Sequence, residues 1–340
     1  MTGQPVVVIT GASAGVGRAT ARAFARRGAR IGLIARGHEG LEATRHEVEA
    51  LGGRAFVYSA DVANAAQIER AADAIEDALG GIDIWINNAM TSVFCPIGEL
   101  EAEEIRRVTE VTYLGTVHGT LAALRRMRAR GRGTIVQVGS ALAFRAIPLQ
   151  AAYCAAKHAV QGFTESLRCE LLHDRSGIRV TMVHLPALNT PHFSWARSRL
   201  PRKPQPVPPI YQPEIAADAI MWAVDHGRRE LQVGLPTSIA IEGNKLFSGL
   251  LDRYLAHNGY RSQQTDQPAD PDRRDNLWEP LAGDRGAHGT FGHRAIDFSP
   301  HLWLNTHRGW FVAAVAGIAA CAYGVASLRS RRAVLHSRQP

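Results

Sequence analysis

The chain has 340 residues, long enough for one large α/β domain with an appendage or for two modest domains. Hydrophobic residues make up 46% and charged residues 21%, which excludes global disorder, collagen-like and coiled-coil classes. The formal charge of +8 is unevenly placed: Arg308, Arg329, Arg331, Arg332 and Arg338 fall after residue 300 with no acid among them, so the body is nearly balanced and lacks the basic excess of a nucleic-acid binder.

Along the chain the predicted elements alternate. Apolar runs at 5–10, 30–35, 54–58, 82–86, 133–138 and 178–184 read as strands, separated by helical patterns near 16–27, 38–51, 64–79, 101–130 and 151–174. Strand, helix, strand repeated in this way predicts an α/β fold with a doubly wound parallel sheet. The N-terminal apolar run is too short for a secretory signal and leads directly into a glycine-rich turn. Cys95, Cys154, Cys169 and Cys321 form no C-x-x-C pair, which suits a reducing compartment and implies no zinc or other metal site. Eight prolines from Pro186 to Pro213 predict a loop or lid. A helix near 214–226, a strand near 230–234 and a helix over 240–258 complete a domain expected to end near residue 260. The polar, Pro/Gly-rich stretch 261–300 reads as a linker, and 301–340 as a C-terminal hydrophobic helix with a basic tail.

Between the first strand and the first helix stands Thr10-Gly-Ala-Ser-Ala-Gly-Val-Gly17. Gly11, Gly15 and Gly17, with Ser13 and Val16 between them, suit a turn that brings the backbone close to a pyrophosphate at the positive end of a helix. The second strand ends in Ala35 followed by Arg36, without the acid that binds ribose hydroxyls in NAD-preferring sites. Arg36, assisted by Ser13 and Arg18, can fork onto a 2′-phosphate, which favours NADP(H) over NAD(H); the competing reading of Arg36 is a solvated surface arginine. Asp61 and Val62 follow the third strand, where Asp61 can accept from an adenine amino group. Asn87 and Asn88 follow the fourth; ligand contact and a role in tying strands together are both open for Asn87.

Ser140 ends the strand at 133–138, and Tyr153-Cys-Ala-Ala-Lys157 places tyrosine and lysine on one face of a helix. An unperturbed tyrosine has a pKa of about 10 and needs a nearby cation to act as a base near neutrality. Lys157, one of three lysines in the chain, can be that cation. Ser140 can then donate to a substrate carbonyl while Tyr153 passes the proton.

The ordered set of Thr-Gly-x-x-x-Gly-x-Gly, Asn-Asn-Ala, Ser and Tyr-x-x-x-Lys resembles the short-chain dehydrogenase/reductase family over residues 5 to about 235. The resemblance implies a Rossmann-type domain and NAD(P)-dependent alcohol/carbonyl interconversion, with Tyr153 as acid/base, Lys157 as electrostatic partner and ribose anchor, and Ser140 orienting the carbonyl. It also implies that Thr190 contacts the nicotinamide carboxamide, and that subunits pair through the helices carrying Tyr153 and Thr112. Three residues depart from the family pattern. Thr112 stands in place of an asparagine that anchors a water leading to the lysine, and Met90 and Ala187 each replace a glycine.

Phe94, Leu142, Phe144, Ile147, Phe193 and Trp195 are expected to give the substrate pocket an apolar lining and to favour a lipophilic alcohol, ketone or aldehyde. The run 309–328 carries no charge and is long enough to cross a bilayer, with Trp303, Trp310 and Tyr323 as interfacial anchors. Membrane association with a cytoplasmic catalytic domain is the expectation. Spanning, lying in the interface and packing on protein remain open for this run. The competing class is a membrane-tethered NADP(H)-binding sensor or scaffold whose departures at Thr112 and Met90 reduce catalysis.

Overall fold

A computed structural model of the chain describes residues 4–309 and Tyr323. The first half alternates as β1 (Val6–Thr10), α1 (Gly15–Ala25), β2 (Arg30–Ala35), α2 (His38–Ala50), β3 (Arg54–Ser59), α3 (Ala65–Leu79) and β4 (Ile84–Asn87). A two-residue strand, β5 (Val93–Phe94), precedes α4 (Ala102–Thr109) and α5 (Gly115–Arg130). The helical stretch predicted near 101–130 is therefore divided, and a π turn, Glu110–Leu114, lies between its two parts. β6 (Gly133–Ser140), α6 (Ala151–His173) and β7 (Ile178–Leu185) continue the alternation.

The proline-rich segment holds only short pieces: α7 (His192–Trp195), β8 (Arg197–Ser198), β9 (Arg202–Pro204) and β10 (Ile210–Tyr211). Then come α8 (Pro213–His226), β11 (Glu230–Gln232), α9 (Leu235–Ser262), β12 (Gln264–Pro268), β13 (Ala295–Ile296) and α10 (Pro300–Thr306).

Seven strands form one sheet in the order β11-β7-β6-β4-β1-β2-β3, every pairing parallel. All five residues of β1 are buried, as expected of a parallel strand covered on both faces. Trp85 of β4, with Ile68 and Ile75 of α3 and Ile135 of β6, anchors the largest apolar cluster described. Local signals set several helix starts: the Asn64 side chain accepts from the Gln67 amide before α3, Glu101 and Glu104 form a capping box on α4, and Pro213 opens α8. From β1 the chain builds outward through β2 and β3, then returns to the other side through β4, β6 and β7. The crevice beyond the carboxyl ends of β1 and β4 is thus the topological switch point, where open α/β sheets bind ligands.

The stretch 261–300 is not a free linker. Residues up to Ser299 belong to the same compact unit as the sheet, and a second unit begins at Pro300. β12 pairs antiparallel with β9, and β13 pairs parallel with β10. Leu277 and Ala287 are buried, but backbone pairing and arginine contacts supply most of the anchorage. A composition poor in periodic apolar residues hides an attachment of that kind. The uncharged run 309–328 lies outside the described residues except for Gly309 and Tyr323, so the expected hydrophobic C-terminal helix is not among the described elements. Among the described residues no helix is long and apolar enough to cross a membrane.

Candidate active site

At the switch point lies a cavity of about 470 Å³, within the range of small-molecule and cofactor sites. Its floor is the turn from β1 into α1. Gly11 takes a φ of +67°, and a side chain on Gly17 would place its Cβ 2.3 Å from the Gly11 carbonyl, so the first turn of α1 closes directly onto the loop. No side chain caps the N-terminus of α1, which faces the cavity; the Gly286 carbonyl accepts from its Gly15 amide at 3.2 Å. Asn88 braces the turn from β4: its Nδ2 donates to the Thr10 carbonyl at 2.9 Å, and its backbone amide to Thr10 Oγ1 at 3.0 Å. Gly11, Ser13, Gly15, Val16, Arg36, Asp61, Val62, Asn88 and Thr190 all line the cavity. These residues fit a dinucleotide: the cradle excludes a Cβ, and no side chain caps the helix end that faces it.

Ser140, Tyr153 and Lys157 line the same cavity. Ser140 ends β6, while Tyr153 and Lys157 lie one turn apart on α6; all three are buried. Lys157 Nζ donates to the Val138 carbonyl at 2.7 Å and sits 5.7 Å from the centre of the Tyr153 ring. Burial brings the Lys157 pKa down to about 8, so the ammonium form still predominates at neutral pH. Burial also pushes the Tyr153 phenol above its ordinary value, against the opposing pull of the nearby Ser140 hydroxyl. Burial, the largest influence on the phenol, acts against the lowering expected from Lys157.

Residues 5–200 match the family profile described as short chain dehydrogenase, which is more than half of the chain. The chain belongs to the short-chain dehydrogenase family. Among relatives of this short-chain dehydrogenase, the uncharacterized oxidoreductase YxnA of Bacillus subtilis is 34% identical over 285 residues, covering 83% of this chain and 80% of that one. D-threitol dehydrogenase of Mycolicibacterium smegmatis is 33% identical over 225 residues, covering 65% of this chain and 86% of that one. The structure of an alcohol dehydrogenase from the archaeon Thermococcus sibiricus, complexed with 5-hydroxy-NADP, superimposes with a TM-score of 0.60 at 27% identity, covering 68% of this chain and 96% of that one. The protein is an oxidoreductase acting on CH–OH groups.

Several expectations change within this short-chain dehydrogenase. Arg18 is no phosphate reader: it is buried and paired with both Glu47, at 2.9 Å, and Asp284. Burial alone would lower its pKa, but the bonds and charges of those two carboxylates outweigh it and hold the guanidinium above its ordinary value. Arg36 is only half-buried, and its Nη1 and Nη2 donate to the backbone carbonyls of Asn276, Leu277 and Trp278. Among the described residues it makes no ion pair within 4.0 Å; burial and the Arg107 charge lower its pKa, against the more distant Asp61 and Glu279 carboxylates. Asn87 is the strand tie: its Nδ2 donates to Thr120 Oγ1 and Gln137 Oε1, and its Oδ1 accepts from Trp85 Nε1.

Thr112 sits in the π turn and exchanges two hydrogen bonds with Thr91, accepting from its amide and donating to its carbonyl, each at 3.1 Å. With its one hydrogen committed, the hydroxyl fastens the helix to the loop after β4 and has no donor left for a water relay. Of the six apolar residues expected in the substrate pocket, Leu142, Ile147, Phe193 and Trp195 line the cavity. Phe94 instead packs with Leu149, Ala196 and Leu200, and the Phe144 ring meets His184 edge-on at 4.9 Å.

Sequence reasoning missed Arg107, His192 and Asn276. Arg107 holds the Asp61 carboxylate at 2.5 Å and donates through Nε to the Leu277 carbonyl. His192 lines the cavity as a neutral imidazole, because burial and the charge of Arg273 bring its pKa down to about 4. The Asn276 Oδ1 is buried without a hydrogen-bond partner. None of the three belongs to a spaced motif; the one signal near them was the isolated apolar pair Leu277-Trp278 within a polar stretch.

Proposed function

We propose that this short-chain dehydrogenase interconverts a lipophilic alcohol and its ketone or aldehyde with NADP(H), using Tyr153 as the acid/base. The observation that carries the reading is the meeting of Ser140, Tyr153 and Lys157 with the glycine-rich turn in one cavity. A bound nicotinamide supplies or accepts the hydride. The protein's own groups handle the oxygen: Ser140 Oγ donates a hydrogen bond to it, and the Tyr153 phenol gives or takes its proton. In the ligand-free cavity the phenol already carries the proton that carbonyl reduction requires. The Lys157 ammonium beneath the ring stabilises the phenolate left behind, and in this reading it also anchors the cofactor ribose. Asp61 and Val62 flank the adenine end, and Thr190 the carboxamide end.

NADP(H) is favoured because Arg36, at the end of β2, lines the cavity and makes no ion pair within 4.0 Å among the described residues. Met90, Leu142, Ile147, Leu188, Phe193 and Trp195 support a hydrophobic substrate. A membrane-tethered sensor with reduced catalysis is the less favoured reading, since the Thr112 and Met90 departures leave the Ser140, Tyr153 and Lys157 set intact. To the same proposal belong membrane association through the run 309–328, a cytoplasmic catalytic domain, and pairing of subunits through the helical regions carrying Tyr153 and Thr112. Carbonate extraction tests the first, and light scattering of detergent-purified protein the last.

The deciding experiment follows NADPH and NADH oxidation by wild type and Tyr153→Phe against hydrophobic ketones and aldehydes. Turnover that prefers NADPH and is lost in the variant, with cofactor affinity retained, is the expected result. Full activity in Tyr153→Phe would overturn the mechanism.

A further inference from the structure

The segment 273–291 makes a circuit around the mouth of the cavity. It starts on the substrate side, where Arg273 Nη2 donates to the carbonyls of Phe193 and Ala196 and the Asn276 amide donates to the Trp195 carbonyl at 3.0 Å. It crosses to the end of β2, where the carbonyls of 276–278 accept from Arg36 and the Leu277 side chain is fully buried. It then passes the N-terminus of α2, with the Gly283 amide on Glu39, and meets the glycine-rich turn. There Asp284 pairs with Arg18, and the Gly286 carbonyl accepts from the Gly15 amide at 3.2 Å. It returns to the substrate side at Asn189, whose backbone carbonyl and Oδ1 accept from the amides of Gly289 and Phe291.

Every stage of this circuit is fastened to an element that lines the cavity, and Asn276, Pro280, Leu281, Gly283 and Arg285 contribute to its wall. An amide oxygen buried there without a partner, as Asn276 Oδ1 is, is unfavourable unless a donor arrives. Once the wall shifts to uncover that oxygen, a hydroxyl or amino group of a bound dinucleotide would supply the donor.

We propose that residues 275–289 form the outer wall of the dinucleotide site, that Asn276 is a cofactor-binding residue, and that this wall must open for the cofactor to enter or leave. The inference rests on the reading of the cavity as a nicotinamide dinucleotide site. Its consequence is slow cofactor exchange: substrate and product pass while the strap stays shut over the dinucleotide.

The test uses full-length, detergent-purified protein, with NADPH and NADH binding measured by equilibrium fluorescence and dissociation by stopped flow. Asp284→Ala, which releases the strap from Arg18, is expected to speed dissociation of the preferred cofactor at least fivefold. Asn276→Ala is expected to raise its Kd at least fivefold with the melting temperature little changed. Should Asp284→Ala not fold, hydrogen exchange on wild type reads the same point: amides of 276–289 slow on addition of the cofactor. Rates and Kd within twofold of wild type for the variants that fold, with exchange in 276–289 unmoved by cofactor, would overturn the strap while leaving the cofactor reading standing. Wild-type protein that binds neither NADPH nor NADH would overturn both.

Discussion

Lys157 makes no ion pair within 4.0 Å among the described residues, and its ammonium donates to a neutral carbonyl. With burial holding its pKa at about 8, against about 10.4 in an unfolded chain, the unfolded state binds more protons between those values. Stability therefore rises with pH across that window, and below pH 8 the full penalty of burying the charge is present. Lys157→Met is expected to stabilise the ligand-free protein by about 1–3 kcal/mol at pH 7 and to lose that advantage as the pH approaches 10, while turnover collapses. Urea unfolding at the two pH values checks this; a variant less stable than wild type at pH 7 would show that the ammonium is well compensated. Arg36 separates two effects in one substitution. Its hydrogen bonds to 276–278 brace the strap for either cofactor, whereas its charge acts on a 2′-phosphate alone. Arg36→Ala should weaken both cofactors, with an additional loss of roughly tenfold or more for NADPH. Equal losses in titrations of the two would remove Arg36 as the phosphate reader.

At the scale of elements, α4 and the proline-rich segment are joined through one buried carboxylate. Glu104 is 1% exposed; it accepts from Arg197 Nε at 2.5 Å and from both Nη atoms of Arg199 at 2.8 Å. It also closes the capping box through the Glu101 amide. Burial alone would raise its pKa, but Arg199, that amide and Arg197 prevail and hold the carboxyl below its ordinary value. The stabilisation is thus complete above the unfolded pKa of about 4.3 and is lost as pH falls through the lower folded value. Glu104→Gln removes the buried carboxylate the two arginines share and leaves Arg197 to Asp275 and Arg199 to Glu101, and a loss of about 2–4 kcal/mol is expected; denaturant unfolding that differs from wild type by less than 0.5 kcal/mol would refute it. Apart from the two-residue β5, the helices and strands up to β7 were legible because their apolar runs and helical periods are strong, and their ends fall within a few residues of the expected ones. The break between α4 and α5 was not legible: Glu110-Val-Thr-Tyr-Leu114 contains neither glycine nor proline, and the π turn forms where Thr112 reaches Thr91 across the chain.

At the scale of the whole molecule, the motif residues were readable from the sequence because they are placed by local geometry. The glycine-rich turn follows a strand, and Tyr153 and Lys157 share a helix face. The strap was not readable, because what places it is tertiary. The carbonyls of 276–278 find Arg36, Asp284 finds Arg18 across 266 positions of sequence, and β12 and β13 find the short strands of the proline-rich segment. Composition marks the domain end near 260, whereas contacts place it at Ser299. The two boundaries predict different truncations. Ending the chain at 260 removes β12, β13 and Leu277. Burial of the leucine side chain is worth about 1.5–3 kcal/mol, and its loss uncovers an apolar cluster that includes Val93, Val108 and Tyr153. Arg18, Arg36 and Arg107 would be left without their partners from the strap. Ending it at 299 cuts between the two compact units and leaves those contacts whole. The 1–299 protein is expected to unfold with the same urea midpoint as the corresponding part of the full chain and to bind NADPH with unchanged affinity. The 1–260 protein is expected to be destabilised by several kcal/mol and to hold the cofactor at least tenfold more weakly. Urea unfolding and NADPH titration of the two proteins check this, and equal stability and affinity at both lengths would mean that the strap contributes to neither fold nor site.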